Sequence, residues 1–201
     1  MKIGILALQG SVTEHINSFN RMNGITIHPV RYENDVQSID GLVIPGGEST
    51  TIGQLLNDFE LIASIRNKIL HGLPVWGTCA GMILLANQVN GKVNTYLNVM
   101  DIDVKRNGYG SQIHSFMTFD TIDAFASYPI PLTFIRAPYI QSVGPSVTVL
   151  KILEDKIIAA KQDNILVTSF HPELTDDLSV QRYFLEMIDN YKKCSRFNYV
   201  Q

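Results

Sequence analysis

The chain has 201 residues, of which 45% are hydrophobic and 17% charged, and a formal net charge of −3. Such a length can bury a full core without disulfide or metal staples, which fits a single domain over residues 1–201 and excludes a disordered chain. The slightly acidic balance excludes a strongly basic nucleic-acid binder. The two cysteines, Cys79 and Cys194, form no disulfide framework or cysteine-rich metal site and suit a reducing cytoplasm.

Residues 2–8 are an apolar run, as expected of a parallel strand buried on both faces. The run is short, Gly4 breaks it, and no small-residue cleavage pattern follows, so it does not read as a signal peptide. No apolar stretch approaches the ~20 residues of a membrane span. Ser11 and Glu14 have capping-box spacing and predict a helix over 12–23, ended by Asn23-Gly24. Residues 25–31 read as an edge strand, because Pro29 cannot donate to a ladder. Residues 41–45 predict a third strand closed by Gly46-Gly47, with helical patterns at 50–57 and 59–70. Residues 74–77 predict a fourth strand and 80–88 a helix. These β-α repeats imply a mostly parallel sheet with helices on both faces, a three-layer α/β architecture. Strand patterns then cluster at 98–106, 114–119, 132–136, 147–153, 156–162 and 165–170, with a tight turn at Asp155, which predicts an antiparallel portion. Val180, Tyr183, Phe184, Met187, Ile188 and Tyr191 mark the buried face of a final helix.

Three strand ends carry chemistry. Gly77-Thr78-Cys79-Ala80-Gly81 surrounds a cysteine with small residues at a strand-to-helix turn, the layout of a nucleophile elbow. A helix N-terminus there would favour thiolate; the alternative on these residues alone is a buried cysteine acting as a small hydrophobe. Cys194, in a polar tail, reads as inert. In Phe170-His171-Pro172-Glu173, residues two apart in an extended segment point the same way, so Glu173 could orient a His171 base; the alternative is a surface histidine beside a solvated carboxylate. His15, His28, His71 and His114 lack such a neighbour and read as ordinary. Pro45-Gly46-Gly47-Glu48-Ser49-Thr50-Thr51 could turn backbone N–H groups toward a ligand, or be a plain loop capped by Ser49 or Thr50. It lacks the ending of a P-loop.

Together with Ala7-Leu8-Gln9-Gly10, Glu14-His15, Arg106-Asn107, Gly110, Gln112, Phe134-Ile135-Arg136-Ala137-Pro138 and Ser169-Phe170-His171-Pro172-Glu173-Leu174, these segments resemble the class I (triad) glutamine amidotransferases over essentially the full chain. Within that class they resemble the glutaminase subunits of pyridoxal 5′-phosphate synthase. Ser111 stands where that family often has arginine.

The resemblance implies a flavodoxin-like fold and hydrolysis of L-glutamine to glutamate and ammonia. Cys79 would be the nucleophile of a γ-glutamyl thioester, His171 the base and Glu173 its orienting partner. The N–H groups of Gly47 and Ala80 would form the oxyanion hole. Gly47, Glu48, Ser49, Arg106, Ile135 and Arg136 would surround glutamine, the arginines pairing with its α-carboxylate and Glu48 with its ammonium. No metal or organic cofactor is required. The implied partner is a (β/α)8-barrel synthase subunit in a multi-subunit complex. Glycines turn a peptide at low steric cost, so a Gly46-Gly47 flip, levered by Gln9-Gly10, is expected to gate activity when that partner docks. Two rivals are a different cysteine hydrolase on a similar sheet and a non-catalytic binding module; His-Pro-Glu and the Pro45–Thr50 loop argue against the first, and the intact Cys79, His171 and Glu173 against the second.

Overall fold

The computed structural model describes residues 1–108 and 115–197, and side chains as far as residue 193. Gly110, Ser111, Gln112, His114 and the side chain of Cys194 lie outside the described residues. In the first half, β1 (Lys2–Leu6), α1 (Val12–Asn20), β2 (Thr26–Val30), α2 (Glu33–Val36), β3 (Gly41–Ile44), α3 (Ser49–Asp58), α4 (Leu61–Leu70), β4 (Val75–Thr78) and α5 (Ala80–Leu85) alternate. Then come β5 (Ala86–Val89), β6 (Lys92–Val93), β7 (Met100–Lys105), β8 (Ser115–Asp120), β9 (Ile130–Ile135), β10 (Tyr139–Val143), β11 (Thr148–Leu153), β12 (Lys156–Gln162), β13 (Ile165–Thr168), a 3₁₀ turn at Pro172–Leu174 and α6 (Ser179–Phe197).

The main sheet runs β2-β1-β3-β4-β13-β12-β10-β7-β5-β6, with β11 paired to β12. From β2 to β13 the neighbours are parallel. From β13 through β12 and β10 to β7 they are antiparallel. The central strands are apolar throughout because each face is covered. Leu42 and Ile44 of β3 face a core built with α3, α4 and α5, while Val43 between them faces one built with α1, α6 and the β8–β9 ribbon. Val75 and Trp76 of β4 divide the same way. The result is three layers, helices around a mostly parallel sheet, with the strand order of flavodoxin-like folds. In such sheets ligands bind at the carboxyl ends, where successive connections leave in opposite directions; here β1 connects outward to β2 while β3 lies on its other side.

Several elements differ from the sequence expectation. The helix expected over 80–88 ends at Leu85, and the chain turns extended at Ala86 (φ −61°, ψ 148°) to become β5. No glycine or proline marks that change within an apolar run. The short α2 and the strands β6 and β10 carry no strong pattern and were not expected. Glu48, rather than Ser49 or Thr50, caps α3 by accepting from the Thr51 N–H (3.0 Å). On α6, Val180, Phe184, Met187 and Ile188 are buried, whereas Tyr191 is exposed and donates its hydroxyl to the His71 carbonyl (2.8 Å). The capping box at Ser11 does not form, since that hydroxyl makes no cap bond.

Candidate active site

Four loops meet at the carboxyl ends of β1, β3, β4 and β13. Cys79 follows β4 with φ 48° and ψ −100°, a conformation sparsely occupied by L-residues and costing about 1–3 kcal/mol. Tight packing enforces the turn: a Cβ on Gly81 would lie 2.2 Å from the Ile44 carbonyl oxygen, and one on Gly77 2.6 Å from the Gly81 carbonyl carbon. The small residues around Cys79 thus reflect close backbone approach as well as a sharp turn. The thiol faces the Ile135 carbonyl at 3.9 Å.

His171 and Glu173 join through a hydrogen bond of 2.7 Å between Nδ1 and Oε1. The extended segment expected here is instead a 3₁₀ turn starting at Pro172, and that turn brings the carboxylate back onto the ring. His171 Nε2 has no hydrogen-bond partner among the described residues. Burial opposes charge on His171, but Cys79 and Glu173 outweigh it and push its pKa up to about 10. Burial likewise opposes charge on Glu173; the histidines facing it and the Ser11 hydroxyl outweigh that and pull it down to about 2. The imidazole therefore holds a proton readily at neutral pH.

A cleft of about 350 Å³ opens beside Cys79 and His171. Gly47, Glu48, Ser49, Ala80, Arg106, Ile135 and Arg136 all line it, and Glu173 lies behind His171. Arg106 Nη2 sits 3.1 Å from Glu48 Oε1 and 3.3 Å from Thr50 Oγ1, so these two candidate ligands of glutamine pair with each other. Desolvation works against the Glu48 charge, but the Thr51 N–H and Arg106 lower its pKa overall. Arg136 adopts φ 43° at the end of β9.

The loop after β3 is tied to the loop after β1. The Gly46 carbonyl accepts from the Ser11 N–H (2.9 Å), and Gln9 Oε1 accepts from the Glu48 N–H (2.9 Å). Because the peptide is trans, the Gly47 N–H points away from Ser11.

Two side chains beside Glu173 escaped sequence reasoning. Ser11 Oγ donates to Glu173 Oε1 (2.7 Å), and fully buried His15 places Nε2 3.5 Å from the same oxygen. Ser11 and Glu173 are 162 positions apart, so local patterning carries no sign of the contact. Among the described residues, no group of three or more His, Cys, Asp or Glu is arranged to hold a metal ion, and no helix is long and apolar enough to cross a membrane.

Solved structures share the fold, and curated proteins share the sequence over most of its length. A structure described as a glutamine amidotransferase superposes with a TM-score of 0.87 at 38% identity, covering 93% of this chain and 98% of that one. A glutamine amidotransferase from Thermotoga maritima shares the fold, with a TM-score of 0.55 at 17% identity, covering 100% of this chain and 85% of that one. The pyridoxal 5′-phosphate synthase subunit PdxT of Clostridium beijerinckii is 53% identical over 92% of this chain and 97% of its own. That of Clostridium botulinum (strain Loch Maree / Type A3) is 50% identical over 92% and 96%. The family model of the SNO glutamine amidotransferases matches residues 5–190, and the chain belongs to that family.

Proposed function

We propose that this chain is the glutaminase subunit of a pyridoxal 5′-phosphate synthase, a single cytoplasmic domain that hydrolyses L-glutamine and passes the ammonia to a synthase subunit. The observation that carries this reading is the His171–Glu173 pair beside Cys79 at the base of the cleft, in a chain whose relatives bear that name.

The raised proton affinity of His171 favours transfer of the Cys79 proton to Nε2. The thiolate then adds to the γ-carboxamide carbon of glutamine, and the carbonyl electrons move to oxygen. The N–H groups of Ala80 and Gly47 stabilise that oxyanion. His171 returns its proton to the amide nitrogen, the C–N bond breaks, and ammonia leaves a γ-glutamyl thioester. Neutral His171 next takes a proton from water, whose oxygen adds to the thioester carbon. Collapse expels the Cys79 thiolate and yields glutamate. Glu173 holds the ring through Nδ1 and stabilises its charged form. Every step uses protein groups and water, without metal or organic cofactor. Arg106 and Arg136 hold the glutamine α-carboxylate, and Gly47, Glu48, Ser49 and Ile135 shape the rest of the subsite.

Ammonia released into water is mostly protonated and then a poor nucleophile, so direct delivery to a second site is favoured. The second site belongs to a (β/α)8-barrel partner. Docking acts on the loop after β3 through Gln9, Gly10 and Ser11, turning the Gly46-Gly47 peptide to complete the oxyanion hole. The test is glutamine turnover by the purified chain, alone and with added synthase. Weak turnover that rises on addition is expected. Full turnover without the partner would remove the gating, and no turnover in the complex would remove the glutaminase assignment.

A further inference from the structure

Glu173 is gripped on its far side as well as by His171. Oε1 accepts from Ser11 Oγ at 2.7 Å and from His171 Nδ1 at 2.7 Å, with His15 Nε2 at 3.5 Å. Oε2, equally buried, has no hydrogen-bond partner among the described residues. The terminal torsion of a glutamate is soft and broad. Donors converging on one oxygen remove that freedom, because any rotation strands them together.

Ser11 and His15 are four apart, and the His15 N–H bonds the Ser11 carbonyl (3.2 Å), so the first turn of α1 presents both on one face. His15 is fixed edge-on against Trp76, with ring centroids 5.4 Å apart, and by Thr78 Oγ1 at 3.1 Å from Nε2. Burial lowers its pKa against the opposing pull of Glu173, which leaves it neutral. With Glu173 ionised, the tautomer carrying hydrogen on Nε2 donates to Thr78 Oγ1 (3.1 Å) and keeps the N–H edge of the ring facing Oε1 at 3.5 Å, an electrostatic contact; the other would turn a lone pair toward a carboxylate. The remaining charged groups acting on His15 are Glu14 and His171.

We propose that Ser11 and His15 are positioning residues that lock Glu173 Oε1 onto His171 and thereby fix the direction of the catalytic ring. This rests on the triad reading above. Ser11 borders the cleft, whereas His15 is fully buried behind it, so the His15 variants separate positioning from substrate contact.

The experiment measures kcat and KM for glutamine in the complex with synthase, for Ser11→Ala, His15→Leu and His15→Gln, each alone and combined with Glu173→Gln, with thermal melts to confirm folding. Loss of the Ser11 hydrogen bond to a charged group predicts a kcat roughly tenfold lower for Ser11→Ala, and loss of the polar His15 edge a smaller fall for His15→Leu, with its KM within about twofold. His15→Gln, which keeps an N–H near the Nε2 position, should recover most of kcat. On the Glu173→Gln background either change should cost little more, since both act through that carboxylate. Wild-type kcat in Ser11→Ala and in both His15 variants, or losses that multiply in full on the Glu173→Gln background, would overturn the proposal while leaving the triad standing. Wild-type turnover in Glu173→Gln alone would instead overturn the triad reading, and this proposal with it. If His15→Leu fails to fold, Ser11→Ala and His15→Gln decide the matter.

Discussion

Substituting alanine for Gly10 would drive apart the two loops that frame the cleft. Gly10 has φ +105°, and a Cβ there would lie 1.8 Å from the Gly46 oxygen, 2.9 Å from the Gly46 carbonyl carbon and 3.2 Å from Gly47 Cα. All are backbone atoms and cannot turn aside as a side-chain tip can. Ordinary contact begins near 3.4 Å, so the peptide must retreat by about 1.6 Å to escape the repulsive wall. The retreat breaks the bond from the Ser11 N–H to the Gly46 oxygen, a loss of about 1 kcal/mol, and a non-glycine residue at that φ adds about 1–3 kcal/mol. A total near 2–4 kcal/mol lowers the melting temperature of a chain this size by roughly 5–15 °C. A displacement of about 1 Å beside the reacting groups can cost on the order of 100-fold in rate. The assay pairs a thermal melt with glutamine turnover in the presence of synthase. A variant that melts with the wild type and turns over within twofold of it would refute the claim that these loops are rigidly joined.

Two further outcomes follow from the charges in the cleft. Glu173 is held at about 2 against an ordinary 4.5, so its contribution to stability is complete above pH 4.5 and is lost as pH falls through 2. His171 is held at about 10 against 6.5, so its contribution is complete below pH 6.5 and fades as pH rises through 10. Melting temperature should therefore decline between pH 6.5 and 10, and Glu173→Gln should flatten that decline; an unchanged slope would argue against the coupling. Arg106→Ala should raise KM for glutamine roughly tenfold, as expected for losing a charge-assisted bond to a carboxylate. Its melting temperature should hardly move, because its pair with Glu48 is substantially exposed and such pairs stabilise by under about 1 kcal/mol. An unchanged KM would place the α-carboxylate elsewhere.

The parts of the fold legible in the sequence are those in which one physical demand dominates. Strands β1, β3, β4 and β13 are covered on both faces, and Leu42, Val43 and Ile44 must all be apolar because they alternate between two cores. The turn at Cys79 is legible because Gly77 and Gly81 leave no space for a side chain. Contacts between distant segments are not. Ser11 precedes Glu14 with the spacing of a helix cap, and only the folded chain turns its hydroxyl to Glu173 instead. His15 has no acidic neighbour two residues on in sequence and meets Glu173 through packing of α1 against the 3₁₀ turn. The passage from α5 into β5 lies within apolar residues that serve either state, and β10 is held by an irregular, bulged pairing with β7, which leaves no clean alternation.

The central claim is that Cys79 attacks glutamine. It is tested most directly by incubating the chain, with synthase present, with a glutamine-mimicking electrophile and locating the adduct by intact and peptide mass spectrometry. A single adduct on Cys79, suppressed by L-glutamine and absent from Cys79→Ala, is the predicted result. Labelling of Cys194 instead, or labelling of Cys79 that L-glutamine does not suppress, would contradict it.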